Sequence, residues 1–286
     1  MVKQLLHPPG LDACLYPTAD NRHDKVVITL SGSEGGVQHA KKMARFRQSQ
    51  GIPALALGYF KTPHTVAELK DVPLETVQLA ADWLRKQGYQ HLALEGLSKG
   101  AEYALACAVA FPEISCVIAK APTWYYAEGL SGEQPNGCSS WSWGGRSLPY
   151  TPYQMRRVPV ARLWLQAGEF SVLAANTDLP VKPDSVIPAE KIRGPVLLLC
   201  SAADTVWPAW QSGKNLRHRL EASAFAYPFQ LKTYQQMSHI MLEKANCLTR
   251  LIFKSERRYP DICAAERADM AQLTRHWLET VWQPQT

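Results

Sequence analysis

Residues 91–111 read HLALEGLSKGAEYALACAVAF. The first five, His91–Glu95, form a short apolar run with the character of a buried strand. Ser98–Phe111 is a run of small residues with helical period, closed by Pro112. Between the two lies Gly96-Leu97-Ser98-Lys99-Gly100. The bare G-x-S-x-G pattern is only moderately specific. A strand running into it and a helix leaving it make it a candidate nucleophile turn, with the serine hydroxyl exposed above a sheet. The flanking glycines fit, because backbone approaches such a turn too closely for side chains.

Working outward, strand and helix alternate. Lys25–Leu30, Pro53–Tyr59, Cys116–Ala121, Pro195–Cys200 and Phe229–Tyr234 are further apolar strand candidates. Val37–Gln50, Leu74–Lys86, 209–222 and 266–283 have helical spacing. The strands are continuous apolar runs, so both faces of the sheet are expected to be buried. The expected fold class is α/β, of the α/β-hydrolase type: a mostly parallel sheet flanked by helices, with a cap inserted between strands. A chain of 286 residues with 46% hydrophobic residues fits one domain over 1–286. Residues 122–194 are too long for a plain connection and are expected to form the cap. They include Trp124, Tyr125, Tyr126, Trp141, Trp143, Tyr150, Tyr153 and Trp164. Those aromatics suit either a local core or a wall above Ser98. Trp124, Tyr125, Trp141 and Trp143, with Trp207 beyond the cap, are the candidate substrate-binding residues.

A nucleophilic serine needs a base, and the base needs an orienting carboxylate. In α/β-hydrolases they follow in the order Ser, Asp or Glu, His. Asp204 lies just beyond the strand PVLLLC and is the only acidic residue between Lys191 and Leu220. His239 lies just beyond FQLKTY. Of the other histidines, 7, 23, 39, 64 and 91 precede the serine, and 218 and 276 fall in expected helices. Ser98, Asp204 and His239 are therefore the expected triad. Backbone N–H groups of Lys99 and of Ser33, or else Glu34, in the loop SGSEGG (31–36) are the expected oxyanion donors. The loop has neither G-x-G-x-x-G nor a P-loop pattern, so a nucleotide site is not expected. No metal-ligand spacing occurs, and neither metal nor cofactor is expected.

Lys and Arg number 31 against 25 Asp and Glu. The excess is thin, which argues against a nucleic-acid partner. It gathers mildly after residue 211, where Arg250, Lys254, Arg257 and Arg258 suit either a solvated surface or the phosphates of an anionic ligand. The seven cysteines include no C-x-x-C pair, and Cys107, Cys116 and Cys200 sit in apolar runs as buried reduced thiols. The N-terminus lacks a signal-peptide pattern and no run is long enough to span a membrane, so a cytoplasmic location is expected.

Six segments resemble one family. They are SGSEGG (31–36), ALALGYF (54–60), DVPLETVQLAADWL (71–84), LALEGLSKGAEYAL (92–105), IPAEKIRGPVLLLCSAADTVWPA (187–209) and YQQMSHIM (234–241). Together they are similar to the C-terminal domain of the acyl-CoA thioester hydrolase / bile-acid-CoA:amino-acid N-acyltransferase family, over about residues 25–245. That resemblance implies the same triad, an acyl-CoA substrate and an acyl-enzyme. The family's mammalian members carry an N-terminal β-sandwich domain, whereas only about 24 residues precede the first expected strand here. The family's usual Gly-His-Leu is replaced by Ser238-His239-Ile240-Met241. The nucleophile is Ser, as in the hydrolase branch, whereas the N-acyltransferase branch uses Cys. A serine acyl-enzyme is an oxoester, suited to transfer to water. The sequence therefore reads as a serine hydrolase of acyl thioesters or esters, taking a small-molecule substrate. Rival readings are a dienelactone-hydrolase-like carboxylesterase on small esters, an acyltransferase to an amine or alcohol, and a non-catalytic binding module.

Overall fold

The computed structural model describes residues 6–18, 24–132, 134–154, 168–172, 180–245 and 247–283. Trp164 and residues 155–167 and 173–179 of the expected cap lie outside them. The chain elements run as follows. β1 (Ala13–Tyr16) and β2 (Lys25–Leu30) precede α1 (Gln38–Ser49), β3 (Ala54–Leu57), β4 (Val72–Pro73) and α2 (Glu75–Lys86). β5 (His91–Leu97) leads into α3 (Lys99–Ala110) and β6 (Ile114–Lys120). Four short strands follow: β7 (Glu128–Ser131), β8 (Gln134–Ser139), β9 (Trp141–Trp143) and β10 (Arg146–Ser147). β11 (Val196–Ser201), α4 (Ala209–Ala222) and β12 (Phe229–Tyr234) complete the sheet. Helices α5 (Cys247–Ile252), α6 (Lys254–Arg258) and α7 (Pro260–His276) close the description, with a π turn at Trp277–Val281.

Seven strands form one sheet in the order β1-β3-β2-β5-β6-β11-β12. All pair in parallel except β1, which lies antiparallel along β3. Alternate residues of each strand enter two separate cores. Ile28, Leu55, Leu94, Val117 and Leu198 pack with α2, α3 and α4. Val27, Ala54, Ala93, Ile118 and Leu197 pack with α1, α7 and Trp277. This period-2 sorting explains why the strands read as unbroken apolar runs. The chain leaves β2 toward β3 on one side and returns to β5 on the other. Ligands of open α/β sheets bind beside the carboxyl ends of the strands at such a reversal. Both the loop 31–36 and Ser98 follow those ends.

Three elements differ from the sequence expectation. β5 continues two residues past Glu95, because Gly96 and Leu97 still pair with Ala119 and Lys120. The edge strand β1 has only four residues and is defined by its partner Leu55 and neighbours in β3, not by a local pattern. The last helix starts at Pro260, a residue suited to a first helical turn, and not at 266. Residues 122–194 are stitched to the sheet domain where they are described. β9 adds in parallel to β4, and Leu130 bridges to Leu69.

Four charges are buried at the carboxyl end of the sheet. Arg47 of α1 donates from Nε and Nη2 to the two oxygens of Glu95 at 2.7 Å each. Its Nη2 also reaches Glu243 Oε1 at 2.6 Å. Lys120 Nζ lies 2.7 Å from Glu95 Oε1 and 2.6 Å from Glu243 Oε1. The set sums to zero charge, and each charge has two partners of opposite sign. Burial would raise the Glu95 pKa, but Arg47 and Lys120 outweigh it and hold it down to about 2. A carboxyl depressed in the folded state stabilises the fold fully above its unfolded value near ~4.3. That contribution is lost as pH falls toward 2. Glu95→Gln should cost ~3–5 kcal/mol, since it leaves two buried cations short of a partner. Its urea unfolding should also lose part of the wild-type acid sensitivity between those two pH values.

Candidate active site

Ser98 sits between β5 and α3 with φ 56° and ψ −119°. A non-glycine residue there carries ~1–3 kcal/mol of backbone strain. The turn is held by its own backbone: Ser98 N–H donates to Lys120 O at 2.8 Å, and Ser98 O accepts from Ala101 and Glu102 N–H at 2.9 and 3.1 Å. The flanking glycines are demanded by contact. A Cβ on Gly96 would lie 2.0 Å from Gly100 O, and one on Gly100 would lie 2.2 Å from Ser31 O. The second clash shows that Gly100 lets the Ser98 turn press against the loop leaving β2.

His239 and Asp204 come together from the ends of β12 and β11. His239 Nδ1 lies 2.7 Å from Asp204 Oδ2, and both residues are buried. An ionised carboxylate can only accept, so this contact places the imidazole proton on Nδ1. Asp204 Oδ1 accepts the N–H groups of Val206 and Trp207 at 2.8 and 2.9 Å, which fixes the carboxylate.

The His239 loop is clamped by three glutamates that the sequence pattern did not single out. Glu266 accepts the N–H groups of Gln235, Gln236 and Met237. Glu256 accepts both N–H and Oγ–H of Ser238, at 3.0 and 2.7 Å. Arg267 pairs with Glu256 at 2.6 Å and donates to the carbonyls of Ile240 and Leu242. Glu243 ties the far end of the loop to the buried quartet. Ser238, which departs from the glycine of the related pattern, has its hydroxyl on Glu256.

The loop after β2 is equally fixed. Tyr59 Oη donates to Ser31 O at 2.6 Å, and Ala40 N–H donates to Ser31 Oγ at 3.1 Å. Gly32 N–H is taken by Glu34 Oε1 at 3.0 Å, so the carboxylate curls back over the loop. Its Oε1 also lies 2.6 Å from His39 Nδ1. Partial burial would push the Glu34 carboxyl up, but His39 and the loop N–H groups outweigh it and hold it below its ordinary value. Among the described residues, neither Ser33 N–H nor Lys99 N–H donates a backbone hydrogen bond.

Ser98, His239, Ser33, Glu34 and Lys99 line one cavity of about 1150 Å³. Of the five aromatic residues expected at the substrate, Trp207 alone lines it. Trp141 is fully buried and donates from Nε1 to Glu102 Oε1 at 2.7 Å. Tyr125 is buried beneath Trp207, and Trp124 packs edge-on against Tyr125. Trp143 is half-exposed and rests against Phe111. The walls come instead from Tyr153, Phe170, Phe46, Leu130 and Phe253. Tyr153 is one of the aromatic residues the sequence offered for a wall above Ser98; no local pattern marks the others, which come from α1, the inserted segment and the start of α6.

The motif's lysine and glutamate dock the inserted segment. Lys99 Nζ donates to Ser140 Oγ at 2.9 Å and to Glu128 O at 3.2 Å, and lies 3.1 Å from Glu102 Oε2. Burial lowers the Lys99 pKa, against the opposing pull of Glu102. Glu102 Oε1 also accepts Ala127 N–H at 2.8 Å. The basic residues expected to meet phosphate are elsewhere. Arg257 donates to the carbonyls of Leu251 and Gly168, and neither it nor Arg250, Lys254 or Arg258 lines the cavity. Lys42, Arg45 and Lys244 do. Cys107, Cys116 and Cys200 are buried free thiols whose pKa values burial pushes up. No helix among the described residues is long and apolar enough to cross a membrane.

The parallel sheet, the strained serine turn and the buried histidine–carboxylate contact belong to the α/β-hydrolase class. Solved structures agree on the fold. A puromycin-hydrolyzing peptidase of Mycobacterium tuberculosis aligns with 96% of this chain at 13% identity and a TM-score of 0.58. This chain spans 37% of that peptidase's length. A putative dienelactone hydrolase of Klebsiella pneumoniae aligns over 94% of this chain and 92% of its own, at 14% identity and a TM-score of 0.54. A putative alpha/beta hydrolase of Agrobacterium tumefaciens covers 99% of both chains at 13% identity and a TM-score of 0.53. No curated protein matches the sequence. Residues 72–243 match the model of the family described as BAAT / Acyl-CoA thioester hydrolase C terminal, and the chain belongs to that family.

The glycine contacts give a direct test. Gly100→Ala should disturb the turn through the Ser31 carbonyl. A lowered melting temperature and loss of serine labelling by a fluorophosphonate probe are expected, whereas Gly51→Ala, strained by its φ of 82° but with nothing within 4 Å of its Cβ and away from the cavity, should lose stability and keep the labelling.

Proposed function

We propose that the protein is a serine hydrolase of acyl thioesters, with Ser98, His239 and Asp204 as its triad. The 2.7 Å contact between His239 Nδ1 and Asp204 Oδ2, made in the cavity that Ser98 lines, carries this reading. With Nδ1 protonated, Nε2 is the ring's acceptor. It takes the Ser98 proton as Oγ attacks the acyl carbonyl, and the Asp204 carboxylate stabilises the imidazolium that forms. The N–H groups of Lys99 and Ser33 receive the oxyanion. Collapse expels the thiolate, which takes the proton from His239. Water, losing its proton to His239, then attacks the acyl-enzyme and frees the acid.

Family membership and the mouth cations support an acyl-CoA substrate. Lys42, Arg45 and Lys244 are the basic residues placed to meet phosphate. The cavity of about 1150 Å³ exceeds the volume a small ester would fill, which favours the acyl-CoA reading over a dienelactone-hydrolase-like one. Serine in place of cysteine supports transfer to water over transfer to an amine.

Purified enzyme should release free thiol from acyl-CoA faster than it cleaves p-nitrophenyl esters, with no glycine or taurine conjugate formed. Activity confined to oxyesters would overturn the thioester reading, and conjugate formation would make it a transferase. Ser98→Ala should lower kcat by several orders of magnitude, and Asp204→Asn by ~10⁴. Raising salt from 50 to 500 mM should raise KM for acyl-CoA while leaving a neutral thioester unaffected, because exposed cations are screened. The triple replacement of Lys42, Arg45 and Lys244 by Gln should remove that salt dependence.

A further inference from the structure

Glu34 is placed where an anion is a cost. An oxyanion forming beside Ser98 is repelled by a carboxylate on the neighbouring loop 31–36. A neutral glutamine would hold Gly32 N–H equally well. The position of the second oxygen gives the carboxylate a use. A Cβ built on Gly32 would lie 2.7 Å from Glu34 Oε2 and 3.4 Å from Ser98 Cβ, so Oε2 and the nucleophile flank the same glycine. The Gly32 N–H bond and the 2.6 Å approach of His39 Nδ1 both fall on Oε1. A carboxylate has about four lone-pair sites, so acceptor capacity is left over at the cavity wall.

The wall has an ordered charge pattern. Glu34 and His39 stand at the end of α1 next to Ser98. Lys42 and Arg45 line the cavity farther along the same helix, Arg45 about 9 Å along its axis from His39 at 1.5 Å per residue. A ligand laid along α1 meets an acceptor beside the scissile bond and cations only farther out.

We infer that Glu34 Oε2 is a specificity-determining contact, accepting a hydrogen bond from an N–H that the substrate carries within a few bonds of its scissile carbonyl. Gly32 N–H holds the carboxylate by its bond to Oε1, and His39 Nδ1 approaches the same oxygen, so Oε2 is left to the substrate. The donor, drawn onto Oε2, offsets the repulsion between Glu34 and the oxyanion, so substrates with that N–H are turned over faster. The inference rests on the hydrolase reading for its location and adds a substrate feature to it.

The test uses thioester pairs in which N–H is exchanged for CH₂. On the leaving-group side, N-acetylcysteamine is set against 5-sulfanylpentan-2-one. On the acyl side, N-acetylglycyl is set against 4-oxopentanoyl. Each rate is divided by that of alkaline hydrolysis to remove intrinsic reactivity. Wild type should favour the N–H member of at least one pair by about 10- to 100-fold in kcat/KM, the range of a hydrogen bond to a charged group. Glu34→Ala should bring that ratio to near one. The ratio is internal to each variant, so a uniform loss of activity from a looser loop does not move it. Equal rates within both pairs in wild type, or a preference that survives in Glu34→Ala, would overturn the inference. If Glu34→Ala does not fold, Glu34→Gln decides with the same pairs: with its carbonyl kept on Gly32 N–H, its amide nitrogen takes the place of Oε2 and cannot accept, so the ratio should fall to near one, and an unchanged ratio overturns the inference. The same pairs are read as Kd on Ser98→Ala, whose failure to lose turnover would instead overturn the hydrolase reading while leaving the binding comparison valid.

Discussion

The buried quartet of Arg47, Glu95, Lys120 and Glu243 ties together the elements around Ser98, the loop 31–36 and His239, while Asp204 reaches the site separately from the end of β11. Glu95 stands three residues before Ser98 on β5. Lys120 ends β6, and its carbonyl accepts the Ser98 N–H. Arg47 lies on α1, the helix that follows the oxyanion loop. Glu243 lies four residues after His239. Removing one member leaves its partners as uncompensated buried charge, a penalty of several kcal/mol. Hydrophobic packing would tolerate small slides among these elements. Charge-assisted hydrogen bonds at 2.6–2.7 Å in a dry interior tolerate them far less.

The same use of carboxylates recurs around the histidine. Asp204 orients the ring, Glu256 and Glu266 hold the backbone that precedes it, and Arg267 caps the carbonyls that follow. A loop fixed through its main chain needs little from its own side chains. That is why Ser238, Ile240 and Met241 can stand here in place of the family's usual residues. Strain in the Ser98 turn is supported in a comparable way, by backbone hydrogen bonds on both sides and by glycines that leave no room for alternatives.

The inserted segment is part of the same framework where it is described. Lys99 and Glu102 emerge from the first turn of the nucleophile helix and bind its backbone, its Ser140 and its Trp141. β9 extends β4 on the side of α2. The aromatic residues of this segment therefore divide into two groups. Trp141 packs against Tyr103 of α3, ring centroids 4.9 Å apart, and attaches the segment, whereas Tyr125 packs against Trp207 in the other core. Tyr153 joins Trp207, 5.9 Å away and edge-on, at the cavity.

The sequence by itself determined the strand–helix alternation and the parallel sheet, and it supplied Ser98, Asp204 and His239 as the proposed triad. Those features rest on local periodicity and on which residues can occupy a turn between a strand and a helix. It marked Gly96 and Gly100 as necessary, and the reason proved to be contact with Gly100 O and Ser31 O. It did not disclose the four-residue edge strand, whose only warrant is pairing with β3. It did not tell the aromatics that pack from those that line the cavity, because composition is the same in both places. Tertiary structure alone decided that the lysine and glutamate of the serine motif anchor the insertion, and that Glu95 and Glu243 share two cations. It also turned the Glu34 side chain back onto Gly32, beside Ser98. The anchor and the shared cations depend on side chains separated by tens of residues meeting in a dry interior, and no local pattern encodes such a meeting; the Glu34 turn depends on the backbone course that brings Gly32 N–H to its carboxylate.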